Sequence, residues 1–146
     1  MAQPVNSAPP PPTTTVVAAV IRDRDGRILL ARRPDDRHMG GLWEFPGGKV
    51  GHREDPTVAL ARELEEELAV TATIGAPITF AVHEEPGLRV LLLFYAATID
   101  GEPQPIEGQD LVWVPAAEIT RYPTPPADAA LVEELAWEAR EAAAET

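Results

Sequence analysis

Apolar and polar positions along this chain predict two helices set among strands. Residues 56–68, PTVALARELEEEL, hold Leu60, Leu64 and Leu68 four apart with no glycine and no proline after Pro56. That spacing is one face of a helix. Asp55 before Pro56 marks its start, because Asp can cap free amides and proline fits the first helical position. A second helix is expected over residues 128–143, which are rich in alanine and glutamate, with Leu131, Leu135 and Ala139 facing a sheet. Residues 14–22 and 27–31 are short apolar runs separated by Asp25-Gly26, and they predict a hairpin. Further strands are expected at 42–46, 71–74, 78–83, 88–99 and 111–114, the last with Trp113 in the core. Turns are expected at 75–77 and 84–87, a short helix at 115–119, and a break at the prolines of 123–126. Strands alternating with two helices, with hairpins between some of them, predict an α/β class domain: a mixed sheet covered by helices on both faces.

Composition narrows this picture. Residues 1–12 contain five prolines and little that packs, so 1–13 are expected to be a disordered Pro-rich leader and 14–144 a single domain. The chain lacks cysteine, which excludes disulfides and thiolate metal sites. No signal-peptide pattern or membrane-length apolar run is present, and a cytoplasmic location is expected. A net charge of −12 disfavours nucleic-acid polymers as partners but leaves room for a small nucleotide carrying its own metal.

The chemistry concentrates in residues 47–70. Gly47 and Gly48 allow close backbone approach, and Glu54 precedes the helix. At about 100° per residue, Glu63, Glu66 and Glu67 share an arc of about 100°, while Glu65 points the other way. Carboxylates so crowded repel one another unless a hard cation lies between them, and magnesium shares such oxygens with substrate phosphates. Taken alone, an acidic helix is more often a solvated face.

These residues resemble the Nudix box. Gly48, Glu54, Arg62, Glu63, Leu64, Glu66, Glu67 and Val70 stand at its spacing, and Ala69 occupies the place of its second glycine. The stretches ILLARRP, GLWEFPGGKV, EGQDLVWV and PPAD narrow the resemblance to the MutT-like nucleoside triphosphate pyrophosphohydrolases. It implies the Nudix fold, an α/β/α sandwich with a mixed sheet. It also implies magnesium-dependent hydrolysis of nucleoside triphosphates to monophosphate and pyrophosphate, with manganese able to substitute.

The resemblance also sets residue roles. Glu63, Glu66, Glu67 and Arg62 are the catalytic candidates. The metal candidates are Glu63, Glu66, Glu67, Glu107 and a carbonyl of Gly47 or Gly48. Arg33, His38, Lys49, Phe45 and Asp128 are candidates to bind substrate, with Asp128 at the base edge. Phe45 also reads as a core residue, and Asp128 as a helix cap. His83 is left outside the site. The expected substrate is an oxidised purine nucleotide such as 8-oxo-dGTP. CTP, dCTP or another nucleoside triphosphate is the alternative, followed by ADP-ribose or a dinucleoside polyphosphate, and then a sensor that binds without cleaving. Either a monomer or a homodimer is compatible with the sequence.

Overall fold

The computed structural model describes residues 9–145. Nine elements of regular structure follow in order: β1 (Thr13–Ile21), β2 (Ile28–Arg32), β3 (Trp43–Glu44), β4 (Gly47–Lys49), α1 (Pro56–Leu68), β5 (Thr71–Glu85), β6 (Leu88–Asp100), β7 (Asp110–Val114) and α2 (Ala129–Ala144). Two 3-10 segments, Ala116–Arg121 and Pro126–Asp128, precede α2. The leader expected at 1–13 lies mostly outside the described residues; Thr13 already pairs with Arg89 and belongs to β1.

The strands form two sheets. One is mixed and has four strands in the order β4-β1-β6-β5, with β1 parallel to β6 and the other pairs antiparallel. The other has three strands in the order β3-β2-β7 and is antiparallel throughout. β1 and β2 feed both layers of core. Ala18, Val20, Ile28 and Leu30 pack with α2 through Leu131, Val132, Leu135 and Ala136. Val17, Ala19, Ile21 and Leu29 pack with α1 through Leu60, Leu64 and Leu68, each of the three fully buried. Helices on both faces are thus as expected, and so is the four-residue stripe. In α2, Ala136 is buried where Ala139 was expected; Ala139 is half-buried.

Four expectations are corrected. The hairpin of residues 14–22 and 27–31 does not form, since β1 and β2 share only the bridge Arg22–Ile28. Both edges of β1 are already taken by β4 and β6, so β2 goes to the other sheet. Residues 75–77 are not a turn: β5 runs through them with a bulge between Ile74 and Thr79. β5 is an edge strand, where the missing N–H of Pro77 costs no ladder bond. Asp55 and Asp128 stand at the N-cap positions of α1 and α2, but neither side chain caps its helix. Trp113 is half-buried against the α1 cluster rather than fully enclosed.

Ala69 closes α1 with φ 56° and ψ 39°, a left-handed conformation, and its N–H bonds the Glu65 carbonyl at 3.0 Å. The helix therefore ends as it would with glycine, and the alanine Cβ carries the strain. Ala69→Gly is expected to stabilise the protein by about 1 kcal/mol, raising Tm by about 2–4 °C. Thermal melts would check this, and a destabilised variant would contradict it. Among the described residues no helix is long and apolar enough to cross a membrane.

Candidate active site

β4 sets the site's floor. It pairs antiparallel with β1, Gly47 against Ala18 and Gly48 against Val17, between bonds from Ala19 N to Pro46 O and from Val50 N to Thr15 O. A Cβ on Gly47 would run into the Val17 carbonyl and lie 2.8 Å from the Ala18 Cα. One on Gly48 would run into the Glu63 carboxylate. The two glycines thus bring three things within van der Waals reach: the central strand, the chain that turns into α1, and the first glutamate of the helix.

Arg62 organises the acidic face. Its Nε and Nη2 donate to the two oxygens of Glu54 at 2.9 Å each, Nη1 donates to Glu63 at 3.0 Å and Glu66 at 3.2 Å, and Nη2 also reaches the Lys49 carbonyl at 3.1 Å. Glu54 accepts from the Gly51 amide as well, at 2.8 Å. Arg62 and then this amide hold the Glu54 carboxyl down at about 2. Glu54 and Glu63 in turn hold the guanidinium in its charged form.

Glu67 is different. Burial, followed by repulsion from Glu107, Glu63, Glu44 and Glu66, raises its carboxyl to about 8. Glu107 comes near because the segment between β6 and β7 docks on the end of α1. Gln104 N donates to the Leu68 carbonyl at 2.8 Å, and Ile106 N and Gln109 Nε2 donate to the Glu67 carbonyl at 3.3 and 3.2 Å. Carbonyls left over at a helix C-terminus thus fix the loop.

A cleft of about 520 Å3 is lined by Glu67, Glu107, Gly47, Gly48, Lys49 and Asp128, among others. Asp128 is 4% exposed. Burial, with repulsion from Glu44, raises its carboxyl to about 7, against the opposing pull of Arg33 and a Phe45 backbone hydrogen bond. Its buried position explains why it leaves the helix end uncapped. Phe45 is a core residue, 3% exposed and edge-on to Phe94 at 5.8 Å, and it also lines the cleft. Arg33 donates to Glu44 at 2.7 Å and to the His38 carbonyl at 3.0 Å. His38 itself meets Glu85 at 3.2 Å.

The cleft therefore gathers Arg33, His38, Phe45, Gly47, Gly48, Lys49, Glu67, Glu107 and Asp128 from the expected set. Arg62, Glu63 and Glu66 do not line it, and the Glu66 side chain is 58% exposed. Among the lining residues outside the expected set are Glu44 and His83. Glu44 stands between Arg33 and the two raised carboxyls. His83 has Glu85 as its partner at 3.0 Å. The signal for Glu44 was a lone charge between two aromatics on a short strand; the sequence shows no partner for His83, which kept it outside the site, and Glu85 is that partner.

The donors fit a hard divalent cation. They are carboxylate and carbonyl oxygens, and the proton held by Glu67 reflects negative charge in need of a counter-ion. Among the described residues no three His, Asp or Glu side chains stand ready as a complete shell. A cation that keeps several waters and binds substrate phosphate does not require one.

The NUDIX domain model matches residues 12–135. The chain is 45% identical over 115 residues to the CTP pyrophosphohydrolase of Escherichia coli strain K12, covering 77% of this chain and 84% of that one. It is 32% identical over 117 residues to the 8-oxo-dGTP diphosphatase of the same strain, covering 80% and 91%. The solution structure of the E. coli ORF135 protein superposes with a TM-score of 0.77 at 42% identity, covering 91% of this chain and 94% of that one.

Proposed function

The chain belongs to the NUDIX family of hydrolases acting on pyrophosphate bonds, and from that premise we propose that it cleaves nucleoside triphosphates to monophosphate and pyrophosphate. One observation carries the reading: a single cleft is lined both by crowded carboxylates and by a buried, proton-holding Asp128. The polyphosphate goes with the carboxylates and their cation, and the base with Asp128.

Members of the family generally use divalent metal ions. Here the ion would be magnesium, or manganese in its place, and Glu63, Glu66, Glu67, Glu107 and a carbonyl of Gly47 or Gly48 would hold it. When bound, it supplies charge neutralisation and an acidified water. The chain does the rest. Glu67 gives up the proton it holds below about pH 8 before its oxygens serve as ligands. Arg62, itself gripped by Glu54, orients Glu63 and Glu66. Lys49, exposed at the cleft, meets a phosphate as a point charge. Arg33 is fixed by Glu44 and the His38 carbonyl, so it arrives pre-oriented beside the substrate.

Asp128 selects the base. A protonated carboxyl donates one hydrogen bond and accepts another. Cytosine presents an amino donor beside a ring acceptor and matches it. The 8-oxoguanine edge, with N7–H beside O6, matches it too, whereas guanine offers two acceptors there. The name of the relative at 45% identity, a CTP pyrophosphohydrolase, supports taking CTP first and 8-oxo-dGTP second, the reverse of the order expected from sequence. The enzyme acts on the cytoplasmic nucleotide pool, and its net charge of −12 keeps it from nucleic-acid polymers.

The test is a panel of CTP, dCTP, 8-oxo-dGTP, dGTP and ADP-ribose, assayed for pyrophosphate and orthophosphate with each metal. Pyrophosphate from CTP at the highest kcat/KM is expected. Binding without turnover, or orthophosphate as the product, would overturn the reading. Asp128→Asn adds a pH signature. Asparagine keeps a donor and an acceptor at every pH, while Asp128 loses its donor above about 7. The ratio of variant to wild-type kcat/KM on CTP should therefore rise about tenfold per unit above pH 7; a flat ratio would remove Asp128 from the base edge. Taking the ratio cancels the opposite pH effect of Glu67.

A further inference from the structure

We propose that a second copy of this chain docks, related by a two-fold axis, on the part of the four-stranded sheet that α1 leaves bare: Ile78, Phe80 and Val82 of β5 with Leu91 of β6. Phe80 lies opposite Leu93, and Val82 opposite Leu91. Phe80 and Val82 alternate onto one face and are 66% and 48% exposed, and Ile78, 39% exposed, stands at the bulge beside them. On the other face, Ala81 pairs with Leu92 and His83 with Val90, and the last three of these line the cleft. A partner on the bare face therefore leaves the active site open in both copies.

The vacancy has a geometric cause. Four strands at about 4.8 Å span roughly 19 Å, while one helix covers about 10–12 Å. α1 sits over Val17, Ala19 and Ile21 of β1, over Leu93, Tyr95, Ala97 and Ile99 of β6 and over Ala72 and Ile74 at the start of β5, and its cluster does not extend to Ile78, Phe80 or Val82. β5 is the terminal strand of its sheet, so its outer edge also presents unpaired backbone groups, which favour association.

Charge favours a second copy as the occupant. Two chains of net charge −12 repel over most of their surfaces, but from Ala69 to Val82 there is no acidic or basic residue. At the rim, Arg89 and Glu84 face each other at 3.2 Å, both exposed. A two-fold axis beside them sets each Arg89 near the Glu84 of the other copy, so the rim is self-complementary. Four side chains fall short of the roughly 800 Å2 that a stable interface buries per partner, so the dimer dissociates in the micromolar range.

Sedimentation equilibrium on the full chain tests this. A dimer is expected at about 100 μM and a monomer well below 1 μM. Phe80→Glu should be monomeric at every concentration, with hydrolysis per chain unchanged. Because the chain lacks cysteine, Val82→Cys provides an independent probe: mild oxidation should yield a disulfide-linked dimer. A wild-type monomer at about 100 μM would overturn the proposal, since it would leave the face to another occupant. So would a dimer that survives Phe80→Glu, or a Val82→Cys variant that does not cross-link. Should Phe80→Glu fail to fold, the cross-link decides.

Discussion

Glu67→Gln is expected to lower kcat by about 10²–10⁴-fold without unfolding the protein. Glu67 is the one helix glutamate that both lines the cleft and holds a proton against four neighbouring carboxylates. The same crowding gives a second, opposite readout in chelator. Its folded carboxyl sits at about 8, whereas an unfolded glutamate titrates near 4.3. Between those values the folded protein holds a proton that the unfolded chain has released. Metal-free wild type therefore loses stability as pH rises from about 4.3 to about 8 and keeps the full penalty above that. Glutamine has no charge to bury, so the variant should melt above wild type at pH 9 and close to it at pH 4. Near-normal turnover, or a wild type that gains on the variant at high pH, would sink the assignment. Glu66→Gln should cost less, although the sequence placed the two glutamates on the same footing. Glu66 is more than half exposed and is held by Arg62.

Gly47→Ala is expected to cost about 3 kcal/mol or more, lowering Tm by about 6–12 °C. The added Cβ meets backbone, the Val17 carbonyl and the Ala18 Cα, on a strand buried from Val17 to Ile21. Relief would require unzipping β4 from β1. Gly48→Ala meets a side chain instead, the Glu63 carboxylate, which can swing away. It should therefore keep stability within about 1 kcal/mol while losing activity as Glu63 leaves its place. Urea titrations beside initial rates separate the two variants. If Gly48→Ala were the less stable, or Gly47→Ala were tolerated, the close packing of β4 would not be what holds the floor.

Local pattern carried much of this far. The leucine spacing of α1 and the apolar runs of β1 and β6 stand in the chain as written, and nine of the expected site residues line the cleft. What did not show was choice among partners. Nothing local says that β1 has both edges occupied, so the Asp25-Gly26 turn read as a hairpin. Gly75 and Pro77 read as a turn because their tolerance of an edge position depends on strands far away in sequence. Helical angle put Glu66 and Glu67 in one arc. What separates them is the loop from Gln104 to Gln109, which docks on the end of α1 and draws the cleft to Glu67 alone. Glu44 went unassigned because alternation on a two-residue strand does not tell which wall it faces.

That docked loop has a consequence for how the enzyme would wear out. Gln104, Ile106 and Gln109 grip α1 through three hydrogen bonds, while Ile106 and Glu107 themselves stay exposed. Loop attachments of this kind open long before a buried sheet does. Heating should therefore silence catalysis several degrees before the circular dichroism changes, reversibly on cooling, with the amides of that segment exchanging first. The working lifetime of the catalyst would then be set by a clasp at the protein's surface, with the interior still intact.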